Sequence, residues 1–288
     1  MISGYFLAYS PENVKIDIIM FSGRVDFFMW ETCKFEVKEN GIAILTFNRP
    51  KQLNSIIPLL TKEVPAICRM VREDPDIKVL IITGAGSAWS AGGDVSTLAG
   101  MNSPINSKAT FDISTDIVKA VYELEKPVIA AVNGPVAGAS TATMMACDLI
   151  VAADTAKFGF NFINLAFTPD SGCSYFLTQK VGYHKALEIL WFGQVLDSRQ
   201  ALEYGLVNKV VPAEEVMAAA EKWAEKLLKA PLYTVWMDKK LVRAALKNDF
   251  LHQAELESLD QVLAWSSDDF KEGVAAFSEK RRPEFKGR

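Results

Sequence analysis

Short apolar runs separated by turn residues fill the first two thirds of the chain. Phe35–Val37 and Ile42–Phe47 flank Asn40-Gly41, which predicts a β-hairpin. Val79–Thr83, Pro127–Val132 and Asp148–Ala153 are almost wholly apolar, the pattern of strands covered on both faces. Helical spacing covers Leu59–Val71, with Pro65 as a predicted kink, and about Ser114–Leu124; a further helix is predicted to open near Gly138. Strands alternating with helices predict an α/β core with parallel-type sheets. After about Asp197 the pattern changes. Ser198–Tyr204, Ala213–Lys229, Pro231–Lys247, Leu251–Trp265 and Asp268–Lys280 read as successive helices, the first three amphipathic. Trp223, Trp236, Trp265 and Phe277 give this tail more large apolar groups than one small bundle face needs. Docking onto the core or onto another subunit would use them, and packing within the chain accounts for them equally well. The predicted division is an extension over 1–30, an α/β core over 31–197 and a helical region over 198–288.

Half of the 288 residues are hydrophobic and 23% are charged, a globular composition. The net charge of −4 argues against a nucleic-acid or membrane-surface binder. Four cysteines without a CxxC spacing fit a reducing, cytoplasmic setting. With two histidines, His184 and His252, the chain is poorly supplied for a His-rich metal site or a Ser-His-Asp triad. Val14–Phe21 is apolar but short and carries Asp17, which argues against a signal peptide.

Three segments carry candidate chemistry. Gly84-Ala-Gly86 followed by Gly92-Gly93 lacks the third glycine of a dinucleotide loop and any Walker lysine. Ser90-Ala-Gly-Gly-Asp-Val95 is tight-turn chemistry after a strand. An ordinary βα turn accounts for it, and it also suits close approach of backbone to a ligand. Asn133-Gly-Pro-Val-Ala-Gly-Ala139 ends a strand and opens a helix of small residues. Free amides there suit an oxyanion; close packing against a sheet needs the same residues. Asp170 is the lone carboxylate between Leu165 and Tyr175. It reads either as the N-cap of a helix over Ser171–Leu177 or as a general base, its pKa raised by Phe160, Phe162, Leu165 and Phe167. Asp148 and Asp154 read as turn and cap groups, and Asp94 as a local anchor.

Together these segments resemble the crotonase superfamily, the enoyl-CoA hydratases and isomerases. The likeness runs from about Phe35 to Phe285. It includes Asn48-Arg-Pro with Asn54, Ser90–Val95, Lys126–Gly134, Asp148–Asp154, Gly205–Pro212 and Phe277–Arg282. The resemblance implies a spiral of ββα units and a C-terminal helical trimerisation region, in a homotrimer or hexamer. It implies acyl-CoA thioester substrates, coenzyme A entering only as part of the substrate, with no metal or redox cofactor. The oxyanion donors would be the amides of Gly93 and Ala139. Coenzyme A would be held around Lys51, Gln52, Leu53, Ala91 and Val95, with Phe277 and Lys280 reaching its adenine and phosphate end. The two glutamates of the hydratases are replaced by Ala142 and Phe162, and these with Phe167 would line the acyl pocket. The acid stands instead at Asp170, as in Δ3,Δ2-enoyl-CoA isomerases. The resemblance therefore favours an isomerase with Asp170 as base. Its alternatives are a hydratase, an acyl- or aryl-CoA hydrolase or dehalogenase using Asp170 as nucleophile, and a non-catalytic CoA-ester or RNA-binding homologue.

Overall fold

A hairpin and a run of buried parallel strands build the main sheet. The computed structural model describes residues 17–21, 25–94, 96 and 104–287. The sheet contains β1 (Asp17–Phe21), β2 (Val25–Met29), β3 (Cys33–Val37), β4 (Ile42–Phe47), β5 (Val79–Gly84), β6 (Val128–Val132), β8 (Leu149–Ala153) and β11 (Lys209–Val211), in that spatial order. Pairing is antiparallel from β1 through β4 and parallel from β4 onward. Every residue of β5 and β6 is buried, as their unbroken apolar runs require. Strands β1 and β2 lie within the segment expected to be an extension; they pair onto the edge of the sheet beside β3.

A second sheet orders β10 (Val195–Asp197), β9 (Lys157–Gly159) and β7 (Val136–Ala137). Its strands are two or three residues long. Such strands are too short to show a two-residue period, and the sequence pattern does not reveal them.

The helices of the core are α1 (Leu60–Glu73), α2 (Pro104–Glu123), α3 (Ala139–Ala146), α4 (Cys173–Val181), α5 (Tyr183–Trp191) and α6 (Ser198–Glu203). Helix α1 runs through Pro65, where a kink was expected. Leu60, Val64, Ile67 and Val71 on its inner face are fully buried. Each contributes roughly 1.5–3 kcal/mol, against about 3 kcal/mol for an interior proline. Helix α2 starts ten residues before the expected Ser114, with Pro104 at its first position, where a missing N–H costs nothing.

Beyond β11 the chain forms α7 (Val216–Leu228), α8 (Leu232–Ala245), α9 (Phe250–Trp265) and α10 (Asp268–Glu279). Helix α7 covers β5, β6 and β8. Trp223 packs against the core, whereas Trp265 and Phe277 stay exposed. No helix among the described residues is long and apolar enough to cross a membrane.

Candidate active site

Two loops that leave the parallel sheet are clipped together before either reaches the site. Trp89 is fully buried, donates its indole N–H to the Ile82 carbonyl at 3.2 Å and packs edge-on against Phe47. Asn54 donates to the Ala85 and Ala88 carbonyls at 2.9 and 2.8 Å and accepts from the Arg49 amide. The Ser90 hydroxyl donates to the Asn54 carbonyl at 2.7 Å and lies 2.5 Å from that of Ser140. A parallel bridge joins Ser90 to Val136. Gly92 has φ +86°, and a Cβ there would lie 2.5 Å from the Ala137 carbonyl oxygen. Only glycine permits this approach of the two loops.

That approach leaves two amides unspent. In the parallel bridge between Ile56 and Gly93, the bonds run from the Ile56 amide to the Gly92 carbonyl and from the Asp94 amide to the Ile56 carbonyl. The Gly93 amide takes no part. Ala139 is the first residue of α3, after Gly138 at φ +54°, so its N–H has no acceptor within the helix. Neither amide has a backbone partner among the described residues. Gly93, Ala139 and Asp170 line one cavity of about 230 Å³.

Asp170 reaches this cavity through a sharply bent segment. Ala166, Ser171 and Gly172 all have positive φ, at 55°, 53° and 85°. The two non-glycine residues each carry a penalty of roughly 1–3 kcal/mol. Asp170 does not cap the following helix with its side chain, contrary to one sequence reading. Gly172 occupies the cap, α4 starts at Cys173, and only the Asp170 backbone carbonyl accepts from the Cys173 amide. Its Oδ1 is buried without a hydrogen-bond partner, as is the Ser171 hydroxyl. Burial pushes the Asp170 carboxyl above the ordinary carboxylate range; the nearby Ser171 hydroxyl opposes this without reaching bonding geometry.

A second carboxylate, Asp94, lines the same cavity in opposite surroundings. It accepts from the Ser96 hydroxyl at 2.6 Å and the Ser55 hydroxyl at 3.0 Å, and Arg49 lies 3.7 Å away. The serine hydroxyls, then the Ser96 amide and Arg49, hold it below its usual range. Asp94 is thus an anchor for the Gly93 strand.

The remaining expected site residues divide. Ala91, Phe162 and Phe167 line the cavity. Ala142 does not: one turn into α3, it is fully buried and its methyl is too short to reach the wall. Lys51, Gln52 and Leu53 are exposed on a short 3-10 turn whose Leu53 carbonyl accepts from Ala91. Val95 lies outside the described residues. Phe277 lines a different cavity, between α8, α9 and α10, and Lys280 ends α10. Within one chain neither joins the first cavity. His184 and His252 are also absent from its walls. Among the described residues no three His, Cys, Asp or Glu side chains are grouped to hold a metal ion. Sequence reasoning missed Phe111, Ile113 and Ser114, which line the cavity from α2. They fell at or before the expected start of that helix, where apolar periodicity is weak.

The profile of the enoyl-CoA hydratase/isomerase family matches residues 37–288, and the chain belongs to this family of acyl-CoA enzymes. It is 34% identical over 256 residues to a probable enoyl-CoA hydratase of Mycobacterium bovis, covering 89% of this chain and 98% of that one. It is 33% identical over 255 residues to the 1,2-epoxyphenylacetyl-CoA isomerase of Escherichia coli, covering 87% and 97%. The fold superimposes on the crystal structure of an enoyl-CoA hydratase from Bacillus anthracis with a TM-score of 0.85 at 30% identity, over 90% of this chain and 100% of that one. The architecture is thus the crotonase-type α/β fold with C-terminal helices.

Proposed function

We propose that the protein is an enoyl-CoA isomerase that moves a double bond from C3 to C2, with Asp170 as its base. The observation that carries this reading is the contrast between two aspartates on one cavity. Asp94 is held ionised by hydroxyls and a guanidinium, while Asp170 is partly desolvated and its Oδ1 has no hydrogen-bond partner. Carboxylates pushed apart in this way take different roles, and the desolvated one is the better proton acceptor near neutral pH. The thioester oxygen sits between the Gly93 and Ala139 amides, which stabilise the negative charge that develops as the C2 proton leaves. Asp170 takes that proton and returns it at C4, so charge and atoms balance without a second reactant. Phe162 and the buried Ala142 stand where hydratases carry glutamates, so water lacks its usual acid–base partners.

Coenzyme A enters as part of the substrate, along the exposed turn at Lys51–Leu53 and past Ala91. Its adenine end meets Phe277 and Lys280 of a neighbouring copy in a homotrimer or hexamer. The deciding experiment is mass analysis of a panel of acyl-CoAs after exposure to purified protein. A 3-enoyl-CoA should become a conjugated 2-enoyl-CoA without change of mass, much faster than crotonyl-CoA gains water. Rapid gain of water would make the protein a hydratase. Release of free coenzyme A would make Asp170 a nucleophile.

A further inference from the structure

Phe111, on α2, and Phe167, three residues before Asp170, meet edge-to-face with ring centroids 6.2 Å apart and planes at 87°. Both rings line the cavity that holds Gly93, Ala139 and Asp170. Their contact therefore joins two walls that no strand pairing connects: a helix on one side and the bent loop carrying the base on the other. Phe167 remains 39% exposed, so the pair is not locked in the core. Such edge-to-face pairs contribute roughly 0.5–1.5 kcal/mol beyond their area burial.

The space is small. An apolar cavity of about 150 Å³ holds one benzene. On that scale the 230 Å³ here takes a group about one and a half times as large, or about nine non-hydrogen atoms. The thioester carbon, oxygen and sulfur occupy three of these, which leaves room for about six further carbons.

We infer that the Phe111–Phe167 pair is a clasp that sets the size limit of the acyl group, so that the site takes compact acyl chains up to about heptanoyl and longer ones only by parting the rings. The inference rests on the acyl-CoA reading above but not on which reaction follows. Binding of saturated acyl-CoAs tests it, because those ligands cannot isomerise or add water. Affinities of butanoyl-, hexanoyl-, octanoyl-, decanoyl- and tetradecanoyl-CoA would be measured by calorimetry on the wild type, Phe111→Ala, Phe167→Ala and the milder Phe111→Leu. In the wild type, affinity should climb to hexanoyl and then fall. In either alanine variant the break should move to longer chains, with tetradecanoyl-CoA gaining at least about tenfold relative to hexanoyl-CoA. Phe111→Leu should give a smaller shift in the same direction, and it stands in if an alanine variant fails to fold. A wild-type series with no break, or folded variants with the wild-type profile, would overturn the clasp alone. A wild type that binds none of the series would overturn the acyl-CoA reading and the clasp with it.

Discussion

With Asp170 as the proposed base, this one residue should set two opposing pH dependences. Its folded-state pKa is raised, chiefly by burial. The native protein therefore holds the Asp170 proton more tightly than the unfolded chain, whose aspartates titrate near about 3.9. Its contribution to stability is fully present below about pH 3.9 and is lost as pH rises through the raised value. Activity runs the other way, because a base must be ionised: kcat/KM for a 3-enoyl-CoA should rise with pH through that same raised value. Asp170→Asn removes both effects. We expect turnover to vanish while urea unfolding at neutral pH shows a gain in stability. Equal or lower stability at neutral pH would mean that the carboxylate is paired in solution, and the burial argument would fail. The candidate chemistry was legible here because a lone acid in an apolar run is chemically conspicuous. Its local geometry was not. Left-handed conformations at Ser171 and Gly172 move the helix start to Cys173, and nothing in residue preference marks a serine at φ 53°. Phe111 was likewise hidden, because an aromatic residue near a helix start has no pattern that points to a cavity.

At the scale of elements, one part-buried ion network fastens the C-terminal helices to the sheet. Asp148, just before β8, accepts from the Val128 amide at 2.8 Å, from Lys239 at 2.6 Å and from Arg243 at 2.9 Å, the last two on α8. Arg243 also donates to the Tyr122 carbonyl and lies 4.1 Å from that ring's centroid, tying in α2. Asp148 read from sequence as a turn group; that role survives in its bond to Val128, but its partners on α8 lie 91 and 95 residues away and no local pattern signals them. The same division holds for the strands. Long apolar runs such as Val79–Gly84 were legible, whereas β7, β9 and β10 exist only through partners distant in sequence. Burial already pushes the Lys239 amine below its ordinary range, with Asp148 opposing. Asp148→Ala should therefore leave a largely buried ammonium without its counter-ion, with only the Lys126 carbonyl as acceptor, and cost up to about 3–5 kcal/mol. Because a lowered lysine pKa means that the unfolded state binds more protons, stability of the variant should recover as pH rises toward the ordinary lysine value of about 10.4. Urea unfolding across that range checks both the loss and the recovery; a loss independent of pH would place the defect in the Val128 bond instead.

For the molecule as a whole, the largest exposed apolar helix face lies on α9 among the described residues. Asp260 faces inward, buried and paired with Lys240 at 3.1 Å, which fixes the rotation of the helix against α8. Leu259, Val262 and Leu263 then share the outer face by their i, i+3, i+4 spacing and are left 49–61% exposed in the single chain. Trp265, Phe250 and Leu251 extend the exposed apolar surface along the same helix. A chain with net charge −4 gains little by showing this surface to water, and a second copy of the chain is the partner expected to cover it. Val262→Glu places a charge in the middle of that face without touching the catalytic cavity. Light scattering should show the oligomer dissociating, whereas an unchanged mass would remove α9 from the interface. The kinetic consequence is separable. If Phe277 and Lys280 complete the coenzyme A site of a neighbouring copy, the dissociated variant should show a raised KM for acyl-CoA with kcat less affected, because those contacts act far from the reacting carbons. A dissociated variant with wild-type KM would leave each subunit with a complete site of its own, and would assign the exposed face of α9 to assembly alone.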